Sequence, residues 1–407
     1  MLSITDQIIA SATTFLTGAV IARLCAKEEF GLYALGFSLL ALLMTLQSSL
    51  ITTPLMIGMP RLAGDSLRRF SGSSLLHQGV FGIAATIAVL IAAACVSAWN
   101  PSLGVTLAAV GAVLSFLLLR DYIRQACFAR LAFGQALVSD IALALLQIGA
   151  LGLLVFTGTL NAASAFIAFG ISCAISSAFW LARTRSERIV EPGVAVIDFQ
   201  RTWSSGKWLV ASGLVWAVSM NLYAWIVAAF HGTASAGVWA AAFGVMTLVN
   251  PLMLGIQNFL GPRILHALPL GGISMLSRVV RDSAVVFCAA LLVFSMCMWF
   301  FGDALIANIY GAKYAGNGLL VFVLALNASV LTVGFAVSRG LFALELAHTD
   351  FYVNLIAFVC FLALGVAFVR VAGPLGAAIA QLLTNAVASG ARVLVFARHT
   401  RLAGAAA

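Results

Sequence analysis

Long apolar runs alternate with short polar gaps along the whole chain. Each run holds about 20 or more mainly apolar residues, the length that a helix needs to cross roughly 30 Å of hydrocarbon. Strands of a membrane barrel would instead alternate apolar and polar residues over segments of about ten. We therefore predict an all-α polytopic membrane protein with 12 transmembrane helices. They cover residues 3–24, 31–57, 73–99, 102–122, 135–157, 161–183, 207–230, 234–259, 278–301, 315–338, 350–370 and 373–395.

Basic residues are concentrated in every second gap between these runs. All but four of the 22 Lys and Arg residues border an even-numbered run on its C-terminal side or lie in the C-terminal tail. The exceptions are Arg23, Lys27, Lys313 and Arg370. Because Lys and Arg near helix ends favour the cytoplasmic side of a membrane, we predict a multi-pass topology with both termini in the cytoplasm.

Composition supports the membrane assignment. The chain is 63% hydrophobic and 9% charged, with a mean hydropathy of +1.09, which leaves too little polar surface for a soluble protein of 407 residues. The net charge of +9 is explained by the flanks of the membrane helices, so no nucleic-acid partner is predicted. The seven cysteines form no CxxC pair, and neither a metal site nor a cofactor is predicted.

The longest charged stretch divides the chain into two sets of six runs. We predict an N-terminal lobe over 1–190, a cytoplasmic linker over 191–206 and a C-terminal lobe over 207–407. Because six is an even number, both lobes start from the same side of the membrane. Any repeat between them is then parallel, with a pseudo-two-fold axis along the membrane normal, as in transporters that work by alternating access.

Short sequence echoes favour such a repeat. Phe30-Gly31-Leu32-Tyr33 opens the second run, and Ala236-Gly237-Val238-Trp239 opens the eighth. Each of these runs leaves the membrane through a Pro-Arg pair, Pro60-Arg61 and Pro262-Arg263. The common order of small residue, aromatic residue and Pro-Arg predicts two related lobes.

Catalytic signatures are missing from the sequence. The five histidines are scattered, and there is no HExxH, GxSxG or GxxxxGK[ST] motif. A glycan polymerase or ligase would be expected to carry a large polar outer loop, whereas the longest outer gap, 302–316, holds one Asp, one Lys and no His. We predict that the protein is not an enzyme; a polytopic polymerase, ligase or acyltransferase is the less favoured alternative.

Two carboxylates within the apolar runs are candidate ion-coupling residues. A charge near the bilayer centre costs roughly 2.5–3.5 kcal/mol on insertion scales and usually faces protein or water. Asp6 shares a polar stripe with several threonines, and Asp140 shares a helix face with Gln147. Either carboxylate could accept a proton or cation. Both also lie near a helix start, where a carboxylate stabilises the helix dipole, so a structural role stays open.

The seventh run carries an aromatic and hydroxyl face. Trp208, Ser212, Trp216, Ser219 and Tyr223 follow one another at steps of three or four residues. Sugar rings stack on aromatic side chains while their hydroxyls find polar partners. The predicted substrate-binding residues here are Trp216, Ser219 and Tyr223, with the amides of Asn221, Gln257 and Asn258. Helix packing combined with an interfacial aromatic belt is the alternative.

Four short segments near the N-terminus carry a resemblance to a known family. They are Asp6-Gln7, Ala22-Arg23-Leu24, Glu29-Phe30-Gly31-Leu32-Tyr33-Ala34-Leu35 and Gln47-Ser48-Ser49-Leu50, the last followed by Pro54. These segments resemble the opening of bacterial polysaccharide-biosynthesis membrane proteins. Those proteins are the O-antigen and exopolysaccharide flippases of the multidrug/oligosaccharidyl-lipid/polysaccharide exporter superfamily.

The resemblance implies a function and a location. A member of this family would move an oligosaccharide linked to undecaprenyl pyrophosphate from the inner to the outer leaflet of the bacterial inner membrane. Arg23 would then receive the anionic head group, and Gln47 joins the candidate substrate-binding residues. The implied partners are this lipid-linked oligosaccharide, membrane lipids and polysaccharide assembly proteins. A multidrug or cation antiporter of the same superfamily is the alternative.

Overall fold

The computed structural model describes the backbone of residues 2–405. Side chains are described for residues 5–200, 214–215, 217–249, 263–264, 266–346 and 352–401. Within the described part, all regular secondary structure is helical and there is no β-strand, which confirms the all-α prediction. It divides into two compact units, Met1–Asn221 and Leu222–Ala407.

The first unit, Met1–Asn221, contains seven complete helices and the start of an eighth. They are α1 (Leu2–Leu24), α2 (Lys27–Gln47), α3 (Thr53–Gly58), α4 (Gly64–Ser97), α5 (Pro101–Ala129), α6 (Phe133–Phe156), α7 (Ala162–Arg183) and the first part of α8 (Pro192–Met246). A π-helical turn, Ser48–Thr52, joins α2 to α3, so that Lys27–Arg61 forms one long apolar element. The predicted linker, residues 191–206, is helical from Pro192 onward.

The second unit, Leu222–Ala407, contains the rest of α8 and three further helices. These are α9 (Asn250–Tyr310), α10 (Gly318–Ala343) and α11 (Ala347–Ala405). Three helices of this unit are interrupted by glycines with non-helical backbone angles: α8 at Gly232, α9 at Gly271 and Gly272, and α11 at Gly373. Gly232, Gly272 and Gly373 have positive φ values of 79°, 62° and 56°, which favour glycine because it has no Cβ.

Ten helices in the described part of the chain are long and apolar enough to cross a membrane. Three of them contain glycine breaks: Ala217–Val249 is interrupted at Gly232, His266–Tyr310 at Gly271 and Gly272, and Tyr352–Arg401 at Gly373. Tyr352–Arg401 has 50 residues, which as one straight helix would measure about 75 Å, against roughly 30 Å of hydrocarbon. Each break lies where the sequence predicts a boundary between two runs.

Helix α5 is the centre of the first unit. It packs against α2, α4, α6 and α7, and its side chains Leu114, Leu117 and Leu118 are at most 2% exposed. Asn100 starts the helix, because its Oδ1 accepts a hydrogen bond from Leu103 N at 3.0 Å. The helix ends at Ala129, shortly before Leu131, which has a φ of 57°. Charged residues on α5 are therefore held within the core of the unit.

Close approach of α5 and α7 generates a stability prediction. A Cβ on Gly170 of α7 would lie 2.1 Å from Val113 Cβ on α5, so the Gly170→Ala variant must push the two helices apart. We expect a loss of about 1–3 kcal/mol in the free energy of unfolding, measured by denaturant or thermal unfolding in detergent. Gly149→Ala on α6 is the matched control, since no atom lies within 4 Å of its Cβ position. Equal stabilities of the two variants would contradict the close packing.

Candidate functional site

Two arginines lie on one face of α5. Arg120 and Arg124 are four residues apart, so their side chains are neighbours along the helix. They lie within the candidate span Pro101–Ala129, and their side chains are only 15% and 13% exposed. Buried arginines in a membrane helix require partners, because an unpaired charge there is costly.

The partners are the two carboxylates that the sequence singles out. Arg124 Nη2 lies 2.6 Å from Asp6 Oδ2 on α1, and Arg124 Nε lies 3.0 Å from the same oxygen. Arg124 Nε also lies 3.2 Å from Asp140 Oδ2 on α6. Arg120 Nη2 donates to Asp140 Oδ1 at 2.8 Å. These four residues, called the charge cluster below, join α1, α5 and α6.

The charge cluster is buried but not fully satisfied. The side chains of Asp6 and Asp140 are 0% and 4% exposed. Among the described residues, Asp6 Oδ1 and Arg120 Nε have no hydrogen-bond partner. Two carboxylates on one guanidinium can take up a proton or a cation when the arginine contacts rearrange. The cluster is therefore balanced in charge when all four groups are ionised, and it has spare hydrogen-bonding capacity.

Neighbouring side chains extend the polar contacts of the cluster. Arg124 Nη2 donates to Gln7 Oε1 at 2.8 Å, and its guanidinium lies 5.1 Å from the centre of the Phe128 ring. Two turns further along α6, Gln147 Nε2 donates to Thr17 Oγ1 on α1 at 3.1 Å. The face shared by Asp140 and Gln147, noted in the sequence, is thus the face that packs against α1.

Arg120 and Arg124 are the residues that sequence reasoning missed. By the apolar pattern Arg120 lies in the last three residues of the fourth run and Arg124 just beyond it, so both count as cytoplasmic flank, but the structure continues α5 to Ala129 and buries both. Their four-residue spacing, at the end of a run that already spans the membrane, is the signal that could have identified them. Only the packing of α1 and α6 against α5 shows that they pair with Asp6 and Asp140.

The other predicted site residues of the first unit whose side chains are described lie outside the charge cluster. Arg23 is exposed in the last turn of α1. Gln47 is fully buried, and its Nε2 donates to the carbonyl of Leu118 on α5 at 2.9 Å. Ser219 donates to the Val215 carbonyl at 2.7 Å, and Asn221 to the Ala217 carbonyl at 2.9 Å. Each of these two bonds stays within α8.

Tyr223, in the second unit, is 2% exposed and belongs to an aromatic group. Its ring centre lies 5.7 Å from that of Trp239 and 4.6 Å from that of Phe361. Trp216, Gln257 and Asn258 lie outside the residues whose side chains are described. Within the described part of the chain, no group of three or more His, Cys, Asp or Glu residues could hold a metal ion.

Comparison with known proteins shows the fold. No family model matches the chain, and no curated protein matches it. Among solved structures, it is similar to an inward-facing multidrug resistance MATE family transporter of the MOP superfamily, with a TM-score of 0.79, 14% identity and 98% coverage of both chains. It is also similar to the lipid II flippase MurJ in an inward closed conformation, with a TM-score of 0.72, 13% identity and coverage of 97% and 87%.

A third solved structure has the same fold. It is a MOP superfamily transporter from Pyrococcus furiosus whose binding pocket is described as having reversed polarity, with a TM-score of 0.63, 15% identity and coverage of 98% and 94%. At these identities the similarity establishes the fold, and it extends over nearly the whole chain.

Loss of the bridging arginine should destabilise the first unit. Arg124→Gln leaves Asp6 buried without its ion pair, and we expect a cost of about 3 kcal/mol or more in the free energy of unfolding. Arg281→Gln, which removes a 72% exposed side chain, is the matched control and should change stability by less than about 0.5 kcal/mol. Unfolding in detergent measures both. Adding Asp6→Asn and Asp140→Asn to Arg124→Gln should recover part of the loss; equal effects of Arg124→Gln and Arg281→Gln would contradict the buried bridge.

Proposed function

We propose that this chain is a membrane transporter that moves a lipid-linked oligosaccharide across the bacterial inner membrane by alternating access. The fold, shared with MOP superfamily transporters over 98% of the chain, supports the general class. The charge cluster is the observation that carries the proposal. Ionisable residues inside membrane helices mark substrate or ion pathways more often than they serve stability alone.

The proposed topology has 12 spans in two lobes related by a parallel repeat. The breaks at Gly232 and Gly373 support this number, because each divides one of the ten candidate spans into two helices that can turn back across the bilayer. The break at Gly271 and Gly272 adds no span, because it lies only five residues after the start of His266–Tyr310. An even number of spans places both termini on the same side, and the distribution of Lys and Arg makes this the cytoplasmic side. The aromatic pairs Tyr33 with Phe37 and Trp239 with Phe243 occupy matching positions in the two sequence echoes, with ring centres 6.1 and 6.2 Å apart.

Arg120 and Arg124 support a substrate with an anionic head group. The lipid-linked oligosaccharides of the resembled family carry pyrophosphate, and guanidinium groups bind phosphate oxygens well. On this proposal the substrate's phosphates compete with Asp6 and Asp140 for the arginines. Arg23, Gln47, Trp216, Ser219, Asn221, Tyr223, Gln257 and Asn258 remain proposed substrate contacts, and Asp6 and Asp140 the proposed ion-coupling pair.

A multidrug or cation antiporter is the second candidate function. The similarity to a multidrug transporter, with its TM-score of 0.79, favours it, as do the two buried carboxylates, which suit a cationic substrate. The two candidates differ in the charge of the substrate. The lipid II flippase among the similar structures supports lipid transport by this fold.

The leaflet distribution of lipid-linked oligosaccharide tests the proposed function. Cells that lack the protein should accumulate this lipid on the cytoplasmic side, because the head group cannot cross the hydrocarbon unaided. Surface labelling of the glycan in intact and permeabilised cells measures the distribution. The Asp282→Asn variant, altered at a 55% exposed carboxylate, should restore the normal distribution. An unchanged distribution in cells without the protein, together with increased sensitivity to cationic drugs, would contradict the flippase function and support the antiporter function.

Neutralising Asp140 should uncouple transport from an ion gradient. Asp140→Asn keeps an oxygen for Arg120 but cannot bind a proton, so transport into proteoliposomes should lose its stimulation by an imposed proton or sodium gradient. We expect a loss of at least about fivefold, the lower end of usual coupling strengths. Asp282→Asn is the matched control. Full stimulation in both Asp140→Asn and Asp6→Asn would show that neither carboxylate takes part in ion coupling.

A further inference from the structure

The segment between α7 and α8 has two different faces. Residues 184–199, called the strap below, contain a short 3₁₀ turn, Arg185–Glu187, and the first turns of α8. The strap precedes the predicted seventh run, which begins at residue 207. From Pro192 to the break at Gly232, α8 has about 40 residues, which as a straight helix would measure about 60 Å, against roughly 30 Å of hydrocarbon. The first turns of α8 therefore exceed the length that crosses a bilayer, and what covers their apolar residues is a separate question.

The inner face of the strap is held against the start of α4 through the backbone. Ile189 N donates to the carbonyl of Arg68 at 3.0 Å. A Cβ on Gly72 would lie 2.0 Å from the carbonyl oxygen of Ile189, so only glycine allows this approach. The strap and α4 are in direct backbone contact at this point.

On both sides of this backbone contact, charged side chains hold the inner face of the strap against α4 and against Arg130. Arg69 Nη1 lies 3.0 Å from Glu191 Oε2, and Arg130 at the end of α5 pairs with Glu187. The Arg68 guanidinium donates twice to the carbonyl of Ser186, at 3.1 and 2.7 Å. These groups are partly exposed, so each contact contributes little alone and the set depends on salt concentration.

The first turns of α8 are fixed along α4. His77 Nε2 lies 2.8 Å from the carbonyl oxygen of Ala195, which accepts when this nitrogen carries the proton. The His77 ring also lies 5.5 Å from the Phe199 ring in an edge contact. Ala195 is 2% exposed. The orientation of this part of α8 about its own axis is therefore set by α4.

This orientation exposes an apolar face. Val190, Val196 and Ile197 are 54%, 58% and 59% exposed. His77, against which this face is anchored, lies four residues inside the predicted run 73–99. The next exposed apolar residues along α4, Val80 and Ile83, lie within a candidate span. The apolar face is thus at the level where the hydrocarbon begins.

Basic residues surround the apolar face. Arg183 and Arg185 are exposed at the end of α7 and the start of the strap. The side chains of Arg68 and Arg69 on α4 are 45% and 51% exposed. An exposed apolar face flanked by arginines is the pattern of helices that lie in the surface of a membrane with anionic lipids.

We propose that the strap is an interfacial anchor, and that its apolar face, formed by Val190, Val196 and Ile197, enters the headgroup region of an anionic lipid leaflet. The polar inner face is taken by α4 and α5, and the lipid surface covers the outer one. The anchor holds the first part of α8 at the membrane surface, beside the helices of the first unit. It requires only that the protein lies in a bilayer and does not depend on the transported substrate.

Spin labels on single cysteines test the anchor in the full-length protein. Labels at Ile197, at Ser186 on the polar part of the strap and at Ile83 on α4 are compared in cysteine-free protein reconstituted into nanodiscs of anionic or zwitterionic lipid. In anionic nanodiscs, the Ile197 label should gain accessibility to oxygen and lose accessibility to water-soluble nickel chelate relative to Ser186. Like the label at Ile83, the label at Ile197 should be more accessible to oxygen than to the nickel chelate, but it should lie less deep in the bilayer.

Charge variants test how the strap is held and oriented. Arg69→Glu should reduce the depth of the Ile197 label, and Glu191→Arg added to Arg69→Glu should restore it. Arg281→Glu, altered at an exposed residue of the second unit, is the matched control and should leave the depth unchanged. Recovery in the double variant shows that a loss in Arg69→Glu does not come from misfolding.

Three results would overturn the proposal. The first is equal nickel accessibility of Ile197 and Ser186 in anionic nanodiscs, which would place the apolar face in water. The second is protection of Ile197 from both oxygen and nickel, which would indicate cover by protein. The third is equal depth of Ile197 in anionic and zwitterionic nanodiscs, which would remove the role of lipid charge. None of these measurements involves transport, so the proposed function can fail while the anchor stands.

Discussion

Arg124 bridges Asp6 and Asp140 inside a bundle of helices that water does not solvate. The bridge joins α1 and α6 to α5, the helix around which the first unit packs. Removing any one member leaves an opposite charge buried, so each member keeps the other two in place. The same requirement makes the cluster responsive, because a change in protonation or the arrival of an anion alters all of these contacts together. Stability and the proposed coupling thus depend on one set of ion pairs.

Backbone geometry sets where helices may end, as strongly as side-chain chemistry does. Inside a membrane every peptide group needs a partner, so a chain can reverse direction only near an interface. In the second unit, glycines with positive φ at Gly232, Gly272 and Gly373 interrupt otherwise continuous helices. In the first unit, Gly170 and Gly36 instead allow neighbouring helices to approach closely. Glycine therefore has two uses in this chain, one in turns and the other in packing.

The arginines on α5 and the arginine that directly follows it lie in different environments. Arg120 and Arg124 are buried with carboxylates at 4% exposure or less, whereas Arg130 pairs with a half-exposed Glu187 on the strap. Removing a member of the first group leaves a charge buried without its partner, which is costly, whereas the second contact is exposed, weak and sensitive to salt. Helix α5 thus connects an ion-pair site inside the bundle with a charged contact to the strap.

The hydrophobic pattern determined the fold class, because a bilayer requires long apolar helices and the sequence contains long apolar runs separated by short polar gaps. It also indicated Asp6 and Asp140, since a carboxylate in an apolar run is costly wherever it finally packs. The partners of these carboxylates depended on tertiary structure: Arg120 and Arg124 are 20 and 16 residues away from Asp140 and over 110 from Asp6 in sequence, and only helix packing brings them together. The docking of 184–199 onto α4 was likewise outside the reach of sequence, because the contacts that orient it include backbone groups that carry no residue-specific pattern.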